Sequence, residues 1–326
     1  MVLSAPVFAS APTKPFEVGR LSKRMLMDHP LRSDDHKSLR KRLYDLFKNG
    51  FTIPRQSNIV FVCGGSEPTD MRRRFQSEFD KLLPGYEFFE PEFAMRKYWT
   101  LGDNEPFDIT TFEELIGKLS HSIVIFPEAA GSLAETGYFS AIPEIASKIL
   151  LVINAAHLKK DSFISIGPAK KIADISKFQP NIQFDYDNPA FNLVSQRLLD
   201  RAPLHSTRRA LQIKSFNEMD SFELFALIQM LVSMLGIATV EDIESVLTGL
   251  FSGHIAPSKT KQIVSILVGS GRLVEVGDYG HLKPSGTENL ILKIKDGAKT
   301  DRDVLMLDIS TTYLGADPEF SALVGV

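Results

Sequence analysis

The chain has 326 residues, of which 44% are hydrophobic and 24% charged, which is typical of a soluble globular protein with one or two domains. The formal net charge of -3 excludes an overall basic protein, so nucleic-acid binding would need a local patch. The single cysteine, Cys63, excludes an internal disulfide and a cysteine-rich metal site. No apolar run approaches the ~18 residues of a membrane span. We expect two domains in a cytoplasmic protein without membrane contact.

The N-terminal region combines a proline-containing arm with an amphipathic helix. Residues 1–30 contain four prolines, which prevent a long helix, so an arm is expected there. Apolar residues at helical spacing predict a helix from Asp34 to Lys48, ended by Gly50. Lysines and arginines occupy the other face of this helix, which either contacts a nucleic acid or is simply solvated.

Four apolar runs without alternation predict strands that are covered on both faces, as in a parallel sheet. These runs lie at 59–63, 87–90, 122–126 and 149–153, and helical patterns separate them. Gln183 and Phe184 are predicted to begin a last edge element. The pattern predicts an α/β fold with a Rossmann-like parallel sheet over residues 31–204.

A candidate site follows the strand at 122–126, where a small-residue loop leads into a helix that contains Glu135. Ligands of open parallel sheets bind beyond the carboxyl ends of the strands, and a helix N-terminus there offers free N–H groups to an anion. Glu135 is therefore a candidate for chemistry on a sugar-phosphate ligand. The alternative is a glutamate that only complements the helix dipole.

Other residues are predicted to share this edge of the sheet. Gly64 and Gly65 follow the first strand, where they either let a ligand approach the backbone or form a plain tight turn. Ser66 or Thr69 would cap the helix that follows. Asn154 ends the strand at 149–153 and is expected on the same rim.

The only tryptophan, Trp99, lies beside Tyr98 in a polar segment that also contains Asp103 and Asp108. Such a loop could stack and orient a base, or its aromatic rings could pin the loop to the core. A helix from Thr111 to Leu119 is predicted to follow.

The remainder of the chain predicts a second domain at 205–298. Three helical patterns, at Ser221–Met234, Thr239–Phe251 and Pro257–Val268, precede a predicted hairpin with its tip at 277–280, as in a winged helix-turn-helix. Residues 205–300 contain 10 Lys plus Arg and 10 Asp plus Glu, which is little positive charge for a DNA binder. Protein contact or shape reading is therefore preferred. In the tail at 299–326, a short strand is expected from Val304 to Ile309.

Three motifs occur in order: Phe-Val-Cys-Gly-Gly at 61–65, Ile-Phe-Pro-Glu-Ala-Ala-Gly-Ser-Leu-Ala-Glu-Thr-Gly-Tyr-Phe-Ser at 125–140, and Ser-Phe-Ile-Ser-Ile-Gly-Pro at 162–168. With these motifs the chain resembles the effectors of retron antiphage systems over about residues 57–295. Those effectors have a nucleoside deoxyribosyltransferase-like domain followed by a winged helix. The resemblance implies a toxin that is inhibited by a reverse transcriptase and its branched RNA–DNA product, msDNA. It also implies N-glycosidic cleavage of a nucleotide, with NAD as one type of substrate.

The resemblance implies that Glu135 is the catalytic glutamate. Glu128 lies roughly where the transferases have an aspartate, although residue type and spacing differ, and Asp103 and Asp108 are candidates for a further acid. The residues predicted to bind the substrate are Cys63, Gly64, Gly65, Trp99, Asp108, Glu128, Gly131, Ser132 and Asn154.

Cleavage of the bond between ribose C1′ and a base nitrogen develops oxocarbenium character, so a carboxylate beside C1′ stabilises the charge or attacks it. A nicotinamide leaving group is already cationic and needs little protonation. A site with one clear acid therefore favours NAD as substrate, with no bound cofactor.

Two alternatives remain open: a non-catalytic nucleotide sensor, and a deoxyribosyltransferase of salvage metabolism. Only Glu135 separates the sensor from an enzyme, because a sensor has no use for an acid at C1′. His157, His254 and His281 lack metal-ligand spacing, so no metal site is expected. Assembly into a homo-oligomer stays open.

Overall fold

The computed structural model describes residues 28–92, 94, 108–157, 162–251, 255–277, 280–286 and 290–313. Trp99, Tyr98 and Asp103, nearly all of the predicted arm and the end of the predicted tail lie outside these residues. The helices are α1 (Lys37–Asn49), α2 (Met71–Leu82), α3 (Ile109–Leu119), α4 (Ala130–Ala141), α5 (Pro143–Ala146), α6 (Lys170–Ile175), α7 (Phe191–Arg201), α8 (Ser221–Leu235), α9 (Val240–Phe251), α10 (Pro257–Gly269) and α11 (Lys299–Tyr313). The strands are β1 (Phe51–Pro54), β2 (Ile59–Cys63), β3 (Glu87–Phe89), β4 (Ser122–Ile125), β5 (Ile149–Asn154), β6 (Ile182–Phe184), β7 (Arg208–Ala210), β8 (Leu273–Val276), β9 (His281–Pro284) and β10 (Lys293–Ile294).

The central sheet has five parallel strands in the order β3-β2-β4-β5-β6. This confirms the predicted parallel sheet and each of its four predicted strands to within one residue at either end. The edge element predicted at Gln183 and Phe184 is β6. Every residue of β2 and β4 is buried, as expected for strands with helices on both faces.

Alternate residues of each strand serve two cores. Val60 and Val62 pack with α2 and α7 on one face of the sheet, whereas Phe61 and Cys63 pack with α3 and α4 on the other. Because the strands are parallel, their carboxyl ends meet at one edge of the sheet. We call this the carboxyl edge; Cys63 and Asn154 end β2 and β5 there.

A second, antiparallel sheet joins three distant parts of the chain in the order β10-β1-β7. Thr52 of β1 lies opposite Lys293 on one side and Ala210 on the other. The sequence analysis did not predict these strands, because two to four residues are too short for a periodicity to be recognised.

The three helices and the hairpin predicted after residue 205 are α8, α9, α10 and the antiparallel pair β8–β9. A Thr-x-x-Asp cap opens α9: Thr239 Oγ1 accepts from the Asp242 amide at 3.2 Å, and Asp242 Oδ2 accepts from the Thr239 amide at 2.9 Å. That these elements act as a winged helix-turn-helix domain stays a prediction, as do the domain boundaries.

The predicted strand at Val304–Ile309 is wrong, because this segment belongs to helix α11. Leu305, Ile309 and Tyr313 are buried at a spacing of four residues, and α11 packs on α1 and α8. Val304 and Leu307 are exposed on the outer face. The β-branched and apolar residues of this segment also suit a strand. Packing against α1 and α8 therefore determined that it is helical.

The apolar core is continuous across both predicted domains. One cluster contains Leu43 of α1, Phe61 of β2, Leu224 of α8 and Ile309 of α11. The described helices include none that is long and apolar enough to cross a membrane.

Candidate active site

The loop between β4 and α4 is shaped by Ser132. This buried hydroxyl accepts hydrogen bonds from the Glu128 and Ala129 amides at 3.1 and 3.0 Å and lies 3.0 Å from the Ala129 carbonyl, to which it can donate. The side chain thus organises the first turn of α4 in the manner of a cap. Glu135 lies in the next turn of the same helix.

The Glu128 carboxylate occupies the N-terminus of α2. It accepts hydrogen bonds from the amides of Gly65 at 2.9 Å, Met71 at 2.8 Å and Arg72 at 3.3 Å. These are the free N–H groups that a ligand anion would otherwise use. The expected caps of α2, Ser66 and Thr69, are not its caps: Asp70 is the N-cap residue, and Glu128 supplies the hydrogen bonds. Contact of Glu128 with a substrate stays a prediction.

Neighbouring residues of the protein leave no room for side chains at the two glycines after β2. A Cβ atom on Gly64 would lie 2.7 Å from Cβ of Arg72 and 2.9 Å from Oε1 of Glu128. One on Gly65 would lie 2.0 Å from Oδ2 of Asp70. Sequence analysis offered close approach of a ligand as one reason for these glycines. In the structure, the groups that approach their backbone closely are α2 with its N-cap and Glu128.

A cluster of carboxyl groups surrounds Glu135 at the carboxyl edge. It comprises Glu135 of α4, Glu113 of α3 and Glu92, which follows β3, and the guanidinium of Arg72 is the nearby cation. Arg72 is almost fully buried and donates to Glu92 Oε1 at 2.6 Å and to the Gly65 carbonyl at 3.0 Å. We call these four side chains the carboxyl cluster.

The carboxyl cluster retains protons that such groups ordinarily lose. Burial, and next the charges of Glu135 and Glu92, raise the pKa of Glu113 to about 8, although Arg72 opposes the shift. Burial also raises the pKa of Glu135, with Glu92 adding to the effect. The Arg72 guanidinium also lies 3.7 Å from the buried Glu90 carboxylate, so it cannot offset the repulsion among Glu92, Glu113 and Glu135 if all three ionise. At neutral pH the cluster therefore combines a protonated Glu113 with an acid, Glu135, that ionises more readily.

The Cys63 thiol hydrogen-bonds to the Glu135 carboxyl group. The side chain is buried, and burial together with the neighbouring glutamates raises the pKa of the thiol well above its usual value. The neutral S–H is therefore a donor to Glu135. Among the described residues, the other Glu135 oxygen, Oε2, is buried and has no hydrogen-bond partner. The hydrogen-bonding capacity of this oxygen is therefore unused among the described residues.

The remaining predicted site residues lie at the rim or make local contacts. Gly131 is exposed, and a Cβ atom added there would meet no atom within 4 Å, so space is open in front of it. Asn154 Oδ1 accepts from the Ala156 amide at 3.0 Å. Asp108 is an exposed N-cap of α3 and accepts from the amide and hydroxyl of Thr110. Substrate contact by these three residues stays a prediction, and Trp99 lies outside the described residues.

Glu92, Glu113 and Arg72 are the members of the cluster that the sequence analysis did not assign to the site. Glu92 follows a parallel strand, so its place at the carboxyl edge was predictable from the rule used for Gly64 and Asn154. Glu113 lies three residues before the buried Ile116, which puts it on the inward side of α3. That spacing is a weak signal, because charged residues commonly border an apolar face.

The family described as STM3845 retron effector protein matches residues 68–275. A candidate ribosyltransferase/DNA-binding protein of retron Ec73 from Escherichia coli is 27% identical over 122 residues, which is 36% of this chain and 39% of that protein. Its counterpart in retron Ec86, also from Escherichia coli, is 30% identical over 129 residues, 38% of this chain and 41% of that protein. The aligned segments thus span about two fifths of the relatives' length.

The family match covers 208 of the 326 residues, from before α2 into β8, and includes Glu113, Glu128 and Glu135. The relatives found independently are also retron proteins. The chain therefore belongs to the STM3845 retron effector family.

Proposed function

We propose that this retron effector cleaves the N-glycosidic bond of a nucleotide at the carboxyl edge of its parallel sheet. The observation that supports this most is the pairing of Glu135 with Glu113, two acids of different protonation in one cluster. Pairs of carboxyl groups whose environments separate their pKa values are the usual acid and base of glycosidic cleavage.

The proposed reaction begins with attack or electrostatic stabilisation by the Glu135 carboxylate at ribose C1′. The bond between C1′ and the base nitrogen breaks, and its electron pair leaves with the base. Glu113 supplies the proton that an ordinary base requires to leave as a neutral molecule. If Glu135 has bonded to C1′, water displaces it there, and if Glu135 only stabilises the charge, water attacks C1′ directly. In both cases the water gives a proton to the Glu113 carboxylate that donated to the base, which releases the ribosyl product and restores both acids.

Glu113 changes the expectation about the substrate. The sequence favoured NAD because only one acid, Glu135, was clear, and a nicotinamide leaving group needs little protonation. A protonated Glu113 in the same cluster equally suits a purine base, which departs only after protonation. NAD stays the first substrate to test, and purine nucleotides come next.

Transfer of the ribosyl group to another base is the second candidate function. The two relatives are named as candidate ribosyltransferases, and the first half of the reaction is common to transfer and hydrolysis. A transferase would keep the ribosyl group on Glu135 until a second base arrives, whereas a hydrolase gives it to water.

We further propose that a reverse transcriptase and msDNA of the retron restrain the effector as a toxin, and that 205–298 is a winged helix. Family membership, the order α8, α9, α10, β8, β9, and the relatives' description as DNA-binding proteins support this. Mixing the effector with a co-expressed reverse transcriptase and msDNA should abolish nucleotide cleavage, and unchanged cleavage would contradict it.

The test compares purified wild type with Glu135→Gln, Glu113→Gln and a control, Glu78→Gln, which alters an exposed glutamate on α2. NAD, ATP and dATP are supplied with and without a second free base, and chromatography follows the released bases. Glu135→Gln should reduce cleavage of every substrate by about 10³-fold or more. Glu113→Gln should slow release of adenine from ATP by about 10²–10⁴-fold and affect nicotinamide release far less.

Full cleavage by Glu135→Gln, with Glu78→Gln also active, would refute the catalytic assignment. Incorporation of the second base into a new nucleoside identifies a transferase. Loss of base to water alone identifies a hydrolase.

A further inference from the structure

A basic cavity lies at the edge of the central sheet opposite Glu135. Its lining includes Arg55 after β1, Lys118 at the end of α3, Lys148 before β5, Lys177 after α6 and Arg209 in β7. Ser57, Ser120 and Lys148 lie one or two residues before parallel strands, so the cavity lies at the amino ends of these strands. We call it the amino-edge cavity. Strands of four to six residues separate it from the carboxyl edge by roughly 13–20 Å.

Some of these cations already have partners. Lys118 pairs with Glu114 at 2.5 Å, and Arg209 pairs with Glu223 at 2.6 Å and with Asp220 at 3.4 Å. Lys148 donates to three carbonyls at the end of α3, those of Gly117, Lys118 and Ser120, at 2.7–3.3 Å. It therefore neutralises the negative end of that helix dipole.

Other cations have no such partner. Within the part of the chain that the structure describes, Arg55 and Lys177 form no ion pair with a carboxylate; Lys177 donates only to the His121 carbonyl, at 3.3 Å, and lies 4.9 Å from the Phe178 ring centre. Partial burial and the adjacent Lys148 lower the pKa of Lys177 to about 8. Lys259, in the first turn of α10, is close enough to Lys118 and Asp220 to interact with both. Positive charge here is thus in excess.

The size of the amino-edge cavity and the positions of its cations indicate whether it binds a small anion or a nucleic-acid strand. The cavity has a volume of about 240 Å³, less than the ~300–1,000 Å³ of a typical nucleotide-sized pocket. It has room for a phosphate group but not for a whole nucleotide. The two lining cations without a carboxylate partner come from separate elements, after β1 and after α6, and Lys259 of α10 lies beside the cavity. Cations spread in this way suit successive phosphates of one nucleic-acid chain better than a single enclosed anion.

We propose that the amino-edge cavity, with Lys259 beside it, binds the phosphate backbone of a nucleic-acid strand. Binding of this kind is electrostatic and independent of base sequence. Most cations of this site belong to the α/β part of the chain. Nucleic-acid binding here therefore does not require an excess of basic residues after position 205. The site is separate from the carboxyl cluster, so it does not depend on the proposed N-glycosidase activity.

The test is fluorescence anisotropy of a labelled 30-nucleotide single-stranded DNA of mixed sequence, titrated with the full chain at 50–200 mM salt. Removal of two phosphate contacts in Arg55→Gln/Lys177→Gln should reduce the salt slope by about 1.4 and weaken binding roughly 20-fold at 0.1 M salt. Lys259→Gln added to this pair should weaken binding further. Nucleotide cleavage and the thermal midpoint report that the variants are folded.

Two charge-matched variants serve as controls. Lys81→Gln/Lys171→Gln removes two exposed lysines away from the cavity, and Lys41→Gln/Lys48→Gln removes two from the outer face of α1. Both should bind like wild type. Wild-type affinity in Arg55→Gln/Lys177→Gln, an equal loss in either control, or displacement of the DNA by a few millimolar inorganic phosphate at constant ionic strength would overturn the proposal.

Discussion

At the scale of single residues, burial and mutual repulsion oppose the ionisation of the glutamates in the carboxyl cluster. Burial and the charges of Glu135 and Glu92 raise the proton affinity of Glu113, burial and Glu92 raise that of Glu135, and Arg72 compensates only part of these effects. A fold that served stability alone would place a neutral side chain at one of these positions. Such clusters are characteristic of functional sites, where a perturbed pKa is needed for the chemistry.

Glu113 should make the folding free energy depend on pH. Its pKa is about 8 in the folded protein and near 4.5 in the unfolded chain, so folding takes up a proton between these values. This stabilising term is fully present below pH 4.5 and is lost as the pH rises towards 8, by up to about 1.4 kcal/mol per pH unit. Glu113→Gln lacks the ionisation and should gain stability relative to wild type as the pH rises from 5 to 8, as measured by denaturant unfolding.

The control for this experiment is Glu78→Gln, whose stability relative to wild type should be the same at both pH values because Glu78 is exposed. A difference between Glu113→Gln and wild type that is equal at pH 5 and pH 8 would contradict the assignment of a raised pKa to Glu113.

At the scale of elements, the N-terminus of α2 has the pattern of an anion-binding site but is occupied by a side chain of the protein. A strand, two glycines and a helix commonly form an anion site. Here Glu128, from the loop after β4, supplies the anion and joins the β2 and β4 loops. Arg72, in the first turn of α2, is directed by this arrangement to Glu92 and the carboxyl cluster. The glycines therefore serve the site by positioning Arg72.

Substitutions in α11 can test whether this segment is a helix, as in the structure, or a strand, as the sequence predicted. In a helix, Leu305 and Ile309 share the buried face and Leu307 points outward, whereas in a strand all three would share one face. Ile309→Ala should lower the free energy of unfolding by about 2–5 kcal/mol, and Leu307→Ala, at an exposed position, by less than about 0.5 kcal/mol. Urea unfolding followed by circular dichroism measures both, and equal effects would argue against the helix.

At the scale of the whole molecule, contacts distant in sequence join the two predicted domains. The antiparallel sheet β10-β1-β7 combines segments from the beginning, middle and end of the chain. Buried His29 makes further contacts of this kind: its amide donates to Asp242 at 2.9 Å, and its ring contacts the Leu235 carbonyl and the Tyr313 hydroxyl, each at 3.2 Å. His29 lies within the predicted arm of residues 1–30, so the prediction is wrong for the end of that segment, which belongs to the core.

This connectivity predicts that the described part of the chain unfolds as one unit. Hydrogen-exchange mass spectrometry across a urea titration should show that peptides from β2 and from α8 lose protection at the same urea concentration, because one apolar cluster includes both. Protection lost at clearly different urea concentrations would show instead that residues 31–204 and 205–298 unfold independently.

The sequence by itself determined the parallel strands, the helices after residue 205 and the position of Glu135 at the carboxyl edge. Unbroken apolar runs, caps and glycines are local signals, and a strand's end determines which edge its next residue reaches. The place of Glu92 at the same edge was also predictable, but only the tertiary structure decided that Glu113 joins Glu135, that Glu128 fills the N-terminus of α2, and that α11 is a helix. Each of these depends on which distant surface lies opposite a residue, and burial and pKa are properties of that pairing rather than of the residue alone.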